Sequence, residues 1–273
     1  MTRGTAPQAD PEWFRRYYGD DYMDSVRQLL GGERSEREAD FLLRVTGLRQ
    51  GARVADLGCG EGRHALALAG KGLRVTAVDL SPSFLERGRA EALRRGLQVD
   101  WVLGDMRTPC PGPYDLVALL FETFGYFSDE ENLGLLQAWR KELGPGGRLI
   151  IDVWNRERIL ADFVPQAEWT ASSGLAVQEE RRWDGETGRL FVRYRYRRRE
   201  GPVREYDASF RLYGREEVAA LLGQARFALD DVFGDLQGAP WRPDSPRLVA
   251  LAAGNCGGLR GLSSLLETSS NPT

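Results

Sequence analysis

The sequence predicts a doubly wound α/β fold, with a mostly parallel sheet covered by helices on both faces. Three observations carry this. Between Arg53 and Trp154 short runs rich in Val, Leu and Ile alternate with stretches of helical spacing, and strand–helix alternation of this kind builds a parallel sheet. A glycine-rich turn, Gly58-Cys59-Gly60-Glu61-Gly62, leads directly from the first of these strands into a helix. Three acidic residues, Asp56, Asp79 and Asp105, stand where three successive strands end.

Taken in order, Asp24–Leu30 and Ser35–Val45 read as helices, the second with Ser35 and Glu38 spaced as a capping box. Strands are expected at Val54–Leu57, Arg74–Val78, Gln98–Leu103, Leu116–Leu120 and Arg148–Val153. Helices fall between them at Arg63–Ala69, Ser83–Arg95 and Glu130–Leu143, the last stopped by Gly144-Pro145-Gly146-Gly147. From about Leu175 to Tyr213 the period changes to strict alternation, which reads as antiparallel strands turning at Asp184–Gly188 and Glu200–Pro202. Arg215–Leu222 is then a short helix and Leu248–Ala252 a last strand. The organisation expected is an N-terminal helical segment (1–47), a core (48–165 and 213–254), an antiparallel β insertion (166–212) and a mobile tail (255–273).

Composition prunes the function classes. With 42% hydrophobic residues in 273 the chain can build a core without staples. Cys59, Cys110 and Cys256 are scattered, which excludes a cysteine-rich zinc module and suits a reducing cytoplasm. His64 is the single histidine, so a zinc site of two or three imidazoles cannot form, and no metal site is expected. No G-x-S-x-G elbow accompanies it. A net charge of −3 argues against a protein built to hold nucleic acid. No run approaches the ~20 apolar residues of a membrane span, and the first residues lack the apolar core of a secretory signal. A cytoplasmic location is expected.

The glycine loop carries the chemistry. Glycines let the backbone approach a ligand, and a helix N-terminus offers unpaired N–H groups. Asp79, at the end of the second strand, sits at the distance from which a carboxylate can grip ribose hydroxyls. A dinucleotide site competes, since it also places an acid there. The spacing here is G-x-G-x-G, with Arg63 where a dinucleotide site wants a third small residue. Asp56 would face a ligand ammonium, and Asp105 could accept from an adenine amine. An amino acid, a ribose and an adenine together make S-adenosylmethionine, a cation suited to an acid-lined rim.

The stretches VADLGCGEGRHALALA, VTAVDLS, GDMR, YDLVALLFETFGYF and LGPGGRLIIDVWN resemble the class I S-adenosylmethionine-dependent methyltransferases, whose fold is Rossmann-like. G-R-H-A, the aromatic motif after the fourth strand and S-P-R-L resemble the small-molecule subgroup. The resemblance spans nearly all of 11–253. It implies that Asp56, Gly58, Cys59 and Gly60 surround the methionine part, Asp79 with Leu80 the ribose, and Asp105 with Met106 the adenine. Phe121 would lie near the sulfonium, where a ring beside a cation is favourable. Tyr18 and Tyr22 belong to an aromatic N-terminal segment that would close over the cofactor.

The function expected is methyl transfer to a small-molecule N, O or C nucleophile by in-line displacement, in a monomer or homodimer. Rivals are an RNA or protein methyltransferase and a non-catalytic S-adenosylmethionine-binding regulatory subunit. Should the acceptor need a general base, Glu122, Tyr18 and Tyr126 are the candidates. Glu122 is expected to border the space before the methyl group. Cys59 reads as a small residue filling a turn, and His64 as a helix-face residue packed beside the loop. Arg226 replaces a usual glycine in a left-handed position. The arginines at 193, 195 and 197 are expected to be neutralised across a hairpin, Arg195 opposite Asp207 and Arg197 opposite Glu205, with Tyr196 beside Tyr206 on the other face.

Overall fold

The computed structural model describes residues 10–254. The tail 255–273, expected to be mobile, and Cys256 within it lie outside the described residues. Strands β1 (Arg53–Leu57), β2 (Arg74–Asp79), β3 (Asp100–Leu103), β4 (Tyr114–Leu119) and β5 (Leu143–Trp154) belong to one sheet. The antiparallel hairpin of β10 (Phe227–Phe233) and β11 (Arg247–Gly254) extends it, in the order β10-β11-β5-β4-β1-β2-β3. Strand order reverses between β1 and β4, and such reversals open a ligand crevice at the carboxyl edge of the strands.

Alternation along the strands sorts side chains onto two faces. On β4, Leu116 and Ala118 join an apolar cluster with Phe41, Leu42 and Leu68, while Val117 and Leu119 join a second cluster with Leu136 and Trp139. Phe41 and Leu42 come from α3 (Gly32–Thr46), and Leu68 from α4 (Arg63–Gly70). The helix α5 (Pro82–Arg95) opens with Pro82 after Ser81, whose Oγ accepts the N–H of Phe84 at 3.4 Å. The helix α6 (Asp129–Lys141) starts with a complete capping box between Ser128 and Glu131.

A separate antiparallel sheet contains β6 (Gln166–Thr170), β7 (Ala176–Asp184), β8 (Arg189–Arg197) and β9 (Arg204–Arg211). Its inner face, with Val177, Val192, Tyr194, Tyr196 and Phe210, packs into the same cluster as Trp13, Phe14 and Tyr17. Those three come from the N-terminal segment, which holds α1 (Phe14–Tyr17) and α2 (Asp20–Val26).

Three expectations change. Ser35 does not cap a helix: α3 begins at Gly32, and Glu38 turns inward to accept from Arg34, Arg63 and His64. The β8–β9 register is shifted by two residues. Arg193 faces Asp207, Arg195 faces Glu205 and Tyr194 faces Tyr206; Arg195 is not opposite Asp207, nor Arg197 opposite Glu205. The connecting loop is longer than a tight turn because Arg198 and Arg204 reach α2, where both bind Asp21. A two-residue shift keeps every side chain on its face, so the charges still pair, Arg193 Nε to Asp207 at 2.8 Å and Arg195 Nε to Glu205 at 2.8 Å. Tyr196 still touches Tyr206, diagonally, with centroids 5.7 Å apart. Third, β6, β10 and α7 (Arg156–Ala161) are elements the sequence reading did not mark.

Candidate active site

The glycine loop folds as the spacing requires. Gly58 and Gly62 hold φ of +61° and +78°, a region that penalises side chains. A Cβ on Gly58 would lie 2.2 Å from Thr123 Cγ2, and one on Gly62 2.3 Å from the Trp101 ring. Neither position tolerates a larger residue. The loop is tied to the second strand by Asp79, whose Oδ2 accepts the Gly60 N–H at 2.8 Å while Oδ1 accepts the Ser81 N–H at 2.8 Å. Burial raises the Asp79 carboxyl above its ordinary range.

Above the loop lies a cavity of about 650 Å³. Asp56, Gly58, Cys59 and Gly60 line its floor, with Asp79 and Leu80 beyond them and Met106 and Phe121 on the walls. Tyr18 and Tyr22 from the N-terminal segment and Tyr126 from the loop after β4 also line it. Asp56 is buried, and its Oδ2 has no hydrogen-bond partner. Burial pushes its carboxyl up to about 7, Arg63 opposing the rise and Asp79 adding to it. An orphaned carboxylate oxygen on a cavity floor is costly unless a ligand donor completes it. An ammonium group fits that position.

Two residues expected at the site stand elsewhere. Asp105 is not on the cavity wall. Its carboxylate accepts from Arg107 Nη2 at 2.7 Å and from the Arg107 N–H at 2.9 Å, with Arg15 at 3.5 Å. Burial opposes ionisation there, but Arg107 holds the carboxyl below its usual range. Glu122 also leaves the wall: it is buried with φ of +61° and forms an ion pair with Arg247.

The phenol of Tyr126 donates to the Tyr18 oxygen at 2.6 Å. Burial raises both phenols well above their ordinary value; Tyr126 adds to the rise at Tyr18, while the hydrogen bond to Tyr18 opposes it at Tyr126. At neutral pH they keep their protons, so they serve as donors and packing surfaces and are poor bases. Burial, with Asp56 and Asp79 nearby, likewise keeps Cys59 a thiol. His64 is packed beside the loop, as the sequence indicated, with Nε2 2.8 Å from Glu38 Oε2. Burial and Arg63 lower its pKa to about 4, so the ring is neutral. Arg226 has φ of +62°, the left-handed value expected of it.

The sequence reading missed a buried ionic network behind Phe121. Arg34, Arg63 and Arg247 place guanidinium carbons 5.6, 5.0 and 5.9 Å from the Phe121 ring centroid. Asp152, wholly buried on β5, accepts the Phe121 N–H at 2.9 Å and Arg247 Nε at 2.7 Å. Burial pushes its carboxyl up to about 7. A signal did exist: an acid in the fifth strand and an arginine entering the last one, both at the carboxyl edge. Nothing in the sequence brings 34, 63, 122, 152 and 247 to one place.

Residues 54–147, which include the glycine loop, Asp79 and the motif after β4, match the sequence profile of the methyltransferase domain. Residues 54–147 thus form a methyltransferase domain. A ubiquinone biosynthesis O-methyltransferase of Xylella fastidiosa (strain 9a5c) is 38% identical over 109 residues, covering 39% of this chain and 43% of that protein. The chain thus spans less than half the length of the curated relatives it matches first. Among solved structures, the CcbJ methyltransferase of Streptomyces caelestis superposes with a TM-score of 0.70 at 23% identity, covering 80% of this chain and 94% of that one. An S-adenosylmethionine-dependent methyltransferase from Clostridium acetobutylicum ATCC 824 gives 0.72 at 17% identity, over 85% and 95%. The methyltransferase fold therefore extends beyond the profile match into the flanking segments and the second sheet. No helix among the described residues is long and apolar enough to cross a membrane.

Proposed function

We propose that the protein transfers the methyl group of S-adenosylmethionine to a small-molecule acceptor by in-line displacement. The carrying observation is the Asp56 carboxylate, buried on the floor of the cavity with one oxygen unpartnered, beside a loop whose glycines admit no side chain. Bound S-adenosylmethionine supplies a methyl group already activated on a sulfonium. Asp56 and the loop hold the methionine ammonium, Asp79 takes the ribose hydroxyls with Leu80 packed beside them, and Met106 flanks the adenine. Asp105, engaged by Arg107, acts on the adenine only if that pair opens.

Phe121 and the phenols of Tyr18, Tyr22 and Tyr126 exclude water and orient the acceptor, so catalysis rests on positioning and desolvation. With both phenols protonated and Glu122 held by Arg247, the acceptor enters as an already competent nucleophile, a neutral amine or an ionised hydroxyl. The segment 1–47 serves as cover and the insertion 166–212 as roof, leaving a pocket scaled to a small molecule. The curated relatives are O-methyltransferases of ubiquinone biosynthesis, and a structural neighbour is an amino pentose methyltransferase. Both support a small acceptor over RNA or protein.

Calorimetry with S-adenosylhomocysteine tests the cofactor. One site per chain is expected, with no comparable binding of NADH. Asp79→Ala removes charge-assisted hydrogen bonds worth about 1.5–3 kcal/mol, so affinity should fall roughly 10-fold or more. Unchanged affinity would remove Asp79 from the ribose.

A further inference from the structure

Outside glycine, three described residues hold a positive φ, and two of them are consecutive, Phe121 at +57° and Glu122 at +61°. The left-handed region is unfavourable for any residue with a Cβ. Such strain persists only where the surroundings over-determine it. Here one residue supplies the hold. Asp152 accepts the Phe121 N–H on Oδ2 at 2.9 Å and the Glu122 N–H on its carbonyl oxygen at 3.1 Å. It is itself fixed: it is wholly buried, it pairs in register with Val249 of β11, and its Oδ1 accepts Arg247 Nε at 2.7 Å.

The turn sorts the residues that follow β4. Leu120, Phe121 and Thr123 line the cavity, while Glu122 is directed back to Arg247. Thr123 Oγ1 donates to the Leu120 carbonyl oxygen, and its Cγ2 occupies the space that a Cβ on Gly58 would need. The strained pair therefore joins the wall of the cavity to the glycine loop on its floor.

We propose that Asp152 is a positioning residue for methyl transfer, which sets the wall beside the cofactor sulfur by holding the turn at Phe121 and Glu122. The inference rests on the methyltransferase reading, in which the ligand ammonium sits at Asp56 and the ribose at Asp79. The sulfur that joins those two parts then lies along residues 58–60, where Thr123 packs. Asp152 touches neither ligand nor acceptor and acts through the backbone of its neighbours.

Binding tests this without knowledge of the acceptor. S-adenosylmethionine and S-adenosylhomocysteine differ only in the methyl group and its charge, so the ratio of their calorimetric affinities reads the wall beside the sulfur. Asp152 uses both carboxylate oxygens, whereas an asparagine offers one acceptor oxygen and an amino group. In Asp152→Asn either the Phe121 N–H or Arg247 Nε then faces a donor. Affinity for S-adenosylmethionine should fall roughly 3- to 10-fold further than that for S-adenosylhomocysteine, and the Phe121 amide should exchange faster. Glu122→Gln removes a charge from the same network but keeps both bonds to Asp152, so its ratio should stay at the wild-type value. Equal losses for the two ligands in Asp152→Asn, or the same shift in Glu122→Gln, overturn the proposal. If a variant does not fold, the ligand-free wild type decides: the Phe121 and Glu122 amides should exchange as slowly as those of β4, and fast exchange at either overturns it. Failure of the cofactor reading would show differently, as binding of neither ligand to the wild-type chain.

Discussion

Asp56 sets the pH behaviour expected of the cofactor site. Burial brings its carboxyl up to about 7 when no ligand is bound. The ligand ammonium pairs with the ionised form, so the charge needed for binding is present above that pH and is lost as pH falls through it. Between about pH 7 and pH 5, S-adenosylhomocysteine affinity should drop by up to roughly tenfold per pH unit, since one unit corresponds to about 1.4 kcal/mol. Asp56→Asn should bind more weakly and show a flattened profile, and calorimetry across that range reads both. At Glu122 the expectation concerns stability. Glu122→Gln leaves Arg247 buried with one fewer counter-charge, and breaking a buried pair from one side costs about 3–5 kcal/mol. Denaturation should show the loss, with cofactor affinity close to wild type because Glu122 is off the cavity wall. A variant of wild-type stability would show that the pair contributes nothing.

One side chain of the second sheet ties it closely to the aromatic loop at the site. Arg189, at the start of β8, donates to the carbonyl oxygens of Phe127 at 2.9 Å, Tyr126 at 3.0 Å and Ser209 at 2.9 Å, and to Ser209 Oγ at 2.8 Å. It fastens the aromatic loop that lines the cavity to β9. Arg189→Met should cost about 1–3 kcal/mol through orphaned carbonyls. It should also speed amide exchange at residues 126–128; unchanged exchange would separate the sheet from the loop. Within the hairpin the alternation of Arg and Tyr was legible in the sequence, because pleat parity depends only on the chain. Register was not, because the side chains of Arg198 and Arg204 are drawn to Asp21, 177 and 183 residues away.

Across the whole molecule, aromatic packing and acids, Asp21 among them, hold the N-terminal segment beside the cavity it lines. Trp13, Phe14 and Tyr17 pack against Tyr126, Phe127, Tyr194 and Phe210. Asp21, buried, receives Arg198 at 2.8 Å, Arg204 at 3.1 Å and the Tyr206 hydroxyl at 3.3 Å. Asp21→Ala removes these bonds, each worth about 1.5–3 kcal/mol at most and less here because both arginines are largely exposed. Trypsin should then cut faster at Arg15, Arg16 or Arg27, and S-adenosylhomocysteine should slow the cutting if the segment covers the ligand. Equal rates with and without the ligand would remove the covering role.

The strand–helix alternation, the glycine loop and the acids at 56 and 79 were decided by the sequence alone. Each is local: the apolar period, the left-handed glycines and the strand-end carboxylates depend on residues a few positions apart. The placement of Glu122 and of the arginines around Phe121 was decided only by tertiary structure. A carboxylate's role follows from whichever cation burial brings beside it. Glu122 meets Arg247 across 125 positions. The network of Arg34, Glu38, Arg63, Asp152 and Arg247 around Phe121 exists because α3, α4, β5 and β11 converge at one end of the sheet. Long-range convergence of charges leaves no local pattern, because the energy that pairs them appears only once water has been excluded.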